Sequence, residues 1–451
     1  MKKVMAIIIV TLFLASMLSI AVPVVKANPA DLYVPSVYPT IQAAISAANP
    51  SDRIIVAGGT YVEIGQIVIG KDLTIIGESA STTIIKPSAD TGSSGDARGW
   101  FLVQSGVTFY LSNVTLDGSG YKVWQGIRHK GQGDISNCVF INIKFEESGP
   151  SYAGTGIVAF GNPGNVNVTD CEFSEIGRVG VLYFGSGITD SMFSGNEYTG
   201  KGVGDWLDYA VEVGAGAYVT ITGNTISNNL GVASVDGSTS AGVLVTTYYG
   251  SGSVAVITGN TISGCTDGIA VGYDEYDTSV VTAHCNKIFG NAMGISSTAP
   301  TVYAEYNWWG DASGPYHPTL NPSGLGDPVS DYVLFVPWKT TPGGFEIDIK
   351  PGSWPNSINR QAKGVVPVAV LSYAGFDATL VDPSTIVFLG ASPARWSLED
   401  IDGDGDLDLI VHFRTEDLDF AGLGIGEHIV PLTGTYLGFP FSGTDTIRIV
   451  K

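Results

Sequence analysis

The stretch VTITGNTIS, Val219–Ser227, returns almost letter for letter as AVITGNTIS, Ala255–Ser263. Looser copies stand at Asn286-Lys287-Ile288 and Asn307-Trp308-Trp309. With the last apolar residue of each copy held fixed, the asparagine slot can be followed backwards. It is filled by Ser191 before Phe193, Cys171 before Phe173, Cys138 before Phe140 and Val114 before Leu116. The column is then Val114, Cys138, Cys171, Ser191, Asn224, Asn260, Asn286, Asn307, with spacings of 24, 33, 20, 33, 36, 26 and 21 residues.

Short alternating strands repeated with loops of uneven length are the mark of a solenoid, in which each unit buries its inward side chains by stacking on its neighbours. Strands stack about 4.8 Å apart, so one column of the alignment becomes one column in space. An asparagine at an inward bend can bond both the backbone and the asparagine of the next coil. An antiparallel sandwich of similar hairpins is the alternative, but hairpins would not hold one polar residue in register over so many units. The expected fold is all-β: a right-handed parallel β-helix over residues 28–338, a linker at 339–345, and a small β-sandwich over 346–451.

The composition agrees. Of 451 residues only 14% are charged while 59 are glycine, which suits strands and turns and not helices. Residues 1–27 read as a secretory signal: Lys2 and Lys3, an apolar run from Val4 to Val22, then Val25-Lys26-Ala27 as a small-residue cleavage site. An uncleaved membrane anchor is the rival for this run; no later stretch could span a bilayer. Cleavage removes three lysines and no acid, taking the formal charge from −21 to −24. So acidic a chain argues against nucleic acid as a partner. The expected location is secreted or on the cell surface. Four cysteines in an exported chain raise the question of disulfides. Cys138 and Cys171 share the column on successive coils, as a bond or as a reduced stack; Cys265 and Cys285 fall in different slots.

Tyr38 to Ile45 begins a short amphipathic helix, with Ile41, Ala44, Ile45 and Ala48 on one face, placed to cap the open end of the β-helix. The run from Thr40 to Glu63 (TIQAAISAANPSDRIIVAGGTYVE), followed by KDLTIIGE, resembles the opening of secreted right-handed β-helix proteins of the pectate-lyase-like superfamily. Asn307-Trp-Trp-Gly-Asp311 through Val336-Pro-Trp338 resembles the segment that closes many of them. The resemblance covers residues 32–340. It implies the fold and leaves the chemistry open, because that superfamily holds lyases, hydrolases, esterases, epimerases and proteins with no reaction. The runs at 347–359 (IDIKPGSWPNSIN), 364–371 and 399–418 resemble a C-terminal module of exported prokaryotic proteins, one for which no enzymatic activity is known as a class.

A second column aligns as Gly126-Ile127-Arg128, Gly156-Ile157-Val158, Gly180-Val181-Leu182, Ala210-Val211-Glu212, Gly242-Val243-Leu244, Gly268-Ile269-Ala270 and Gly294-Ile295-Ser296. The middle residue points inward and the third outward. Two residues on, Lys130, Phe160, Phe184 and Thr246 also point outward. Such an apolar face is either covered or a sugar platform. The candidate sugar contacts are Phe160, Phe184, Trp206 and Tyr209. Candidate catalytic residues are Arg128, Asp205, Asp208 and Glu212, for a lyase that needs a base and cations or a hydrolase that needs paired carboxylates. Arg128 and Glu212 stand three coils apart, roughly 14 Å, too far for one centre unless loops add groups. The esterase signature is present only as Gly59-Thr-Tyr-Val-Glu63. His129 has inward parity, which suits packing better than catalysis.

The clearest site is Asp400-Ile-Asp402-Gly-Asp404-Gly405-Asp406-Leu-Asp408. Alternate carboxylates in a turning loop converge on one hard cation, and Gly405 permits the turn. Asp400, Asp402, Asp404 and Asp408 would ligate Ca²⁺ by side chain and Asp406 by its carbonyl, in a structural role. The expected function is an exported carbohydrate-binding or cell-surface structural protein with a polysaccharide or cell-surface glycan as partner. The alternative is a polysaccharide lyase or glycoside hydrolase working along the Arg128–Ser296 face.

Overall fold

The computed structural model describes residues 29–450 except 147–148, 150–151, 161–163, 251, 343–344, 373–375 and 437; the expected leader, 1–27, lies outside the described residues. Three parallel sheets of twelve, nine and nine strands wind into a right-handed β-helix. One coil is seen in Tyr218–Thr222 of the first sheet, Thr225–Ser227 of the second and Ala241–Thr246 of the third. Each pairs in parallel with its counterpart one coil on, Val254–Thr258, Thr261–Ser263 and Asp267–Val271.

Alternation along each strand drives the stacking. Ile127, Ile157, Val181, Val211, Val243, Ile269 and Ile295 follow one another in register and are fully buried. Their outward neighbours form the expected column Arg128, Val158, Leu182, Glu212, Leu244, Ala270, Ser296 in unbroken register. The second outward pair, Phe160 and Phe184, is also in register.

At the bend between the first and second sheets, backbone N–H groups donate to side chains of the next coil: Asn196 to Asn224, Asn224 to Asn260, Asn260 to Asn286, Asn286 to Asn307, at 2.8–3.0 Å. Each amide also donates to a carbonyl of the preceding coil, as Asn260 does to Ile221. Lower down, the Cys138 N–H donates to the Cys171 sulfur and the Cys171 N–H to Asn196. All four cysteines are free thiols, so this pair is a reduced stack. Asn196, and not Ser191, therefore occupies the column. Phe193 pairs with Ile221 in the first sheet, while Tyr198 pairs with Ile226 in the second. The apolar residue that closes this unit is Tyr198, so aligning on Phe193 displaced the slot by five. Ser191 lies on the first sheet, where its hydroxyl accepts from Val166 N–H.

The residue before each ladder position is held at positive φ: Asn113, Asn137, Asp170, Gly195, Gly223, Gly259, Cys285 and Tyr306, at 51–66°. The sharp bend demands this left-handed backbone, which explains the Asn, Asp and Gly at six of these eight positions.

The helix Ile41–Ala47 covers the first coils with Ile41, Ala44 and Ile45 buried. Thr40 Oγ1 accepts from Ala43 N–H. Glu63, the last residue of the Gly59–Glu63 segment, accepts from Ile41 and Gln42 N–H at 2.8 and 3.2 Å. Its carboxylate thus holds the cap in place. No helix among the described residues is long and apolar enough to cross a membrane.

Beyond the coils, two four-stranded sheets pack face to face. One carries Ile347–Ile349, Val365–Val370, Asp408–Arg414 and Arg395–Glu399; the other Asn356–Ile358, Phe439–Ile449, Gly426–Tyr436 and Val381–Phe388. Arg395–Glu399 is an edge strand with little burial on either face, so it has no alternating signature in sequence. This sandwich sits on the ladder corner, where Cys285 and Tyr306 of the left-handed column pack against its core. Tyr436 donates its hydroxyl to that of Tyr306.

Candidate functional site

The outer face of the third sheet carries a groove of about 420 Å³ lined by Arg98, Trp124, Arg128, Phe160, Arg178, Phe184, Glu212 and Tyr249, among others. Strand register supplies Arg128, Phe160, Phe184 and Glu212; loops supply the rest. The sandwich lies on another corner and does not cover it.

Arg128 is held from two sides. Its Nε donates to Asp96 Oδ1 at 2.9 Å, and its guanidinium lies 4.5 Å from the centroid of the Phe160 ring. Asp96 also accepts from Lys130 at 2.8 Å, and these two cations hold its carboxyl below the usual range. Arg98 stacks on Trp124 at 4.4 Å. Phe160 and Phe184 stack face to face at 5.0 Å with 6° between their planes. The aromatic line continues from Phe184 to Tyr249, Tyr248 and Tyr273 at 4.9–5.1 Å between centroids.

Glu212 is 3% exposed, and burial pushes its carboxyl up despite the nearby Arg178 guanidinium and the Tyr249 hydroxyl. Burial raises the Tyr249 hydroxyl too, with the Glu212 charge next. Among the described residues, two buried polar atoms beside the groove have no hydrogen-bond partner: Arg178 Nε and Tyr152 Oη. Arg178 thus brings spare donor capacity to the Glu212 carboxyl. Neither Arg178 nor Tyr249 stood out in the sequence. Arg178 precedes the aligned strand and Tyr249 sits in an insertion after Thr246. The available signal was scarcity: between residues 28 and 338 the arginines are Arg53, Arg98, Arg128 and Arg178, and three of these meet here.

The other candidates lie elsewhere. Asp208 is fully buried at a corner, accepting from Tyr198 Oη at 2.5 Å and Lys201 N–H at 2.7 Å. It closes a bend. Asp205 accepts from Ser234 N–H and Oγ and pins a surface loop. Trp206 donates to Gly202 O, and Tyr209 to Thr239 O. Both belong to an apolar cluster with Tyr152, Leu207 and Ala233 that covers part of the outer face. Asp205, Asp208, Trp206 and Tyr209 therefore do not line the groove: the first three sit on a loop that folds onto itself, and Tyr209 opens the strand Tyr209–Gly214 under that loop. His129 is fully buried against Phe109 at 6.2 Å, and burial lowers its pKa to about 4.

In the sandwich, carboxylate oxygens of Asp400, Asp402 and Asp408 lie within 4.8 Å of one another. Gly403 and Gly405 turn the loop at φ 81° and 99°. Asp400 accepts from Gly403 and Gly405 N–H, Asp404 from Asp406 N–H, and buried Asp408 from Ser372 and Ile401 N–H. Asp404 and Asp406 stand outside the three-carboxylate cluster. None of the five is in an ion pair among the described residues, so the donor set is the all-oxygen kind that suits Ca²⁺.

The family model described as "Right handed beta helix region" matches residues 125–307. No curated protein shows significant sequence similarity to the chain. Among solved structures, the pectin methylesterase PemA of Erwinia chrysanthemi is similar at 10% identity and TM-score 0.31, covering 54% of this chain and 80% of its own. The A-module of the Azotobacter vinelandii mannuronan C-5 epimerase AlgE6 is similar at 14% identity and TM-score 0.34, covering 65% and 81%. The periplasmic alginate epimerase AlgG (a double mutant) is similar at 12% identity and TM-score 0.37, covering 69% and 84%. At such low scores these likenesses carry no argument about the chemistry of this chain.

Proposed function

We propose that this is an exported protein that binds an acidic polysaccharide along the outer groove of the third sheet. One observation carries it: Arg98, Arg128 and Arg178 converge on an aromatic-lined cavity in a chain of net charge −21. Guanidinium groups match carboxylates in a two-pronged fork, and flat aromatic faces suit sugar rings. The test is retention of the protein on immobilised polygalacturonate, alginate and neutral dextran. Retention on an acidic polymer that Arg178→Met weakens at least tenfold is the expected result. Equal retention on dextran, or none lost in Arg178→Met and Arg128→Met, would overturn it.

A second reading has its own support in Glu212. A carboxyl whose pKa burial raises, beside an arginine and a tyrosine hydroxyl, can exchange the proton α to a uronate carboxylate while the arginine balances that carboxylate's charge. This favours a lyase or epimerase over a hydrolase, because among the described residues Glu212 alone brings a carboxyl to the cavity. Unsaturated-product absorbance and solvent-proton exchange into the polymer, both lost in Glu212→Gln, would establish turnover. Their absence in the native protein would leave binding alone.

We also propose that Asp400, Asp402 and Asp408 hold a structural Ca²⁺, with Asp404 and the Asp406 carbonyl completing the shell. Calcium at a hundred times its dissociation constant stabilises by about 2.7 kcal/mol. A melting transition that rises with calcium in the native chain but not in Asp402→Ala is the expected outcome; identical melting in calcium and chelator would sink the site.

A further inference from the structure

Where the sandwich meets the coils there is a second cavity, of about 640 Å³. Its floor includes Gly223 and Gly259 of the left-handed column, whose missing side chains leave the backbone accessible. Hydroxyls line it from both sides, Thr222 and Thr258 from the coils and Thr433 and Thr444 from the sandwich. Among the described residues two lysines line it, Lys287 and Lys339, and no Asp or Glu does. In a chain with 43 acids against 22 lysines and arginines, a described lining with two cations and no carboxylate runs against the overall composition.

Lys339 is the unusual member. It is 6% exposed, and among the described residues its ammonium makes no ion pair and no hydrogen bond; it lies 4.0 Å from the centroid of the Phe345 ring. The Lys287 charge adds repulsion. The Cys285 thiol, which also acts on Lys339, is pushed up to about 11 by burial and stays neutral. A buried cation without a counter-charge is costly, and the Phe345 ring offsets only part of that cost.

We infer that this cavity binds an acidic sugar, its carboxylate or sulfate between Lys339 and Lys287 and its ring hydroxyls on the threonines. Phe441 supplies the apolar wall for a ring face. The site is separate from the groove and does not depend on the groove's function.

The experiment is calorimetric titration of the full chain carrying Arg178→Met, so that the groove contributes little. The probes are sodium galacturonate, galactose and inorganic sulfate. Galacturonate binding that Lys339→Gln and Lys287→Gln each weaken at least tenfold is the expected result, with no heat from galactose. Lys287 is exposed, so its variant keeps the test valid if Lys339→Gln fails to fold by circular dichroism. Binding unchanged in the folded lysine variants, equal binding of galactose, or no binding at all overturns the proposal. Sulfate that binds as tightly as galacturonate overturns the sugar assignment, since threonine contacts to ring hydroxyls would then add nothing. A failure of the groove would appear as unaltered polymer retention in Arg178→Met and leaves this titration interpretable.

Discussion

Two columns climb the same coils with one residue per turn, and they are built on opposite rules. At the corner, Asn196, Asn224, Asn260, Asn286 and Asn307 repeat one residue, and each side-chain amide donates to the next asparagine up to Asn307, which accepts from Asn286. On the outer face of the third sheet, Arg128, Val158, Leu182, Glu212, Leu244, Ala270 and Ser296 share nothing but their register. The spacing is the same; the direction of the polar contacts differs. Bonding along the axis requires a side chain that carries both a donor and an acceptor, so asparagine recurs. A column whose contacts run outward to loops or a ligand has no reason to repeat. Repetition therefore marks where the coils hold one another, and departure from it marks where the surface does something else.

The strongest way to break this contrast is at the ladder. Asn260→Ala strips the acceptor from Asn224 N–H and leaves the Ile221 carbonyl without its donor. With both groups buried, a loss on the order of 3 kcal/mol is expected, read as a lower midpoint of denaturant unfolding with groove binding unchanged. Asn196→Ala should match it, whereas Ser191→Ala should cost about 1 kcal/mol, since only Val166 N–H loses a partner. Equal losses at the two positions would break the column as drawn here.

On the outer face the order reverses: binding should suffer more than folding. Arg178→Met is expected to reduce retention on acidic polymer at least tenfold while the unfolding midpoint barely moves. A large stability loss would return Arg178 to the role of a packing residue.

Glu212 sharpens the contrast through pH. Its folded pKa lies above the ordinary 4.5, so the charged form is disfavoured by folding. The native chain therefore has its full stability below about that value and loses some as pH rises through the raised pKa. Glu212→Gln removes this dependence, so the variant should melt higher than the native chain at pH 7 and lose that advantage at pH 4. An advantage equal at both pH values would show that Glu212 is already charged at no cost. The smallest effect is expected at the aromatic stack, where Phe160→Leu should weaken acidic-polymer retention about two- to fivefold and leave neutral-polymer retention unaltered.

Legibility in the sequence followed the same division. The inward and outward columns of the third sheet were readable from Gly126 to Ser296, because a strand's period of two and a small residue (Gly, or Ala210) before each inward position leave one possible register. The ladder was readable wherever Thr-Gly-Asn-Thr-Ile recurs and was misplaced at Ser191, where both Phe193 and Tyr198 could serve as the closing apolar residue. Asp205 and Asp208 were plausible by composition alone. Their actual partners, Ser234 for one and Tyr198 with Lys201 for the other, are set by how the loop returns to the coils. Sequence spacing does not carry that information.

By itself the sequence determined that the chain coils, which side chains enter the core, and which residues share the outer column, since these follow from local periodicity repeated over many units. Only the tertiary structure decided that Arg178 and Tyr249 join Glu212, and that the sandwich closes a lysine-bearing cavity over Gly223 and Gly259. Those meetings depend on loops of unequal length and on docking between distant segments. Periodicity constrains neighbours along the axis, whereas a site is made by what arrives from outside it.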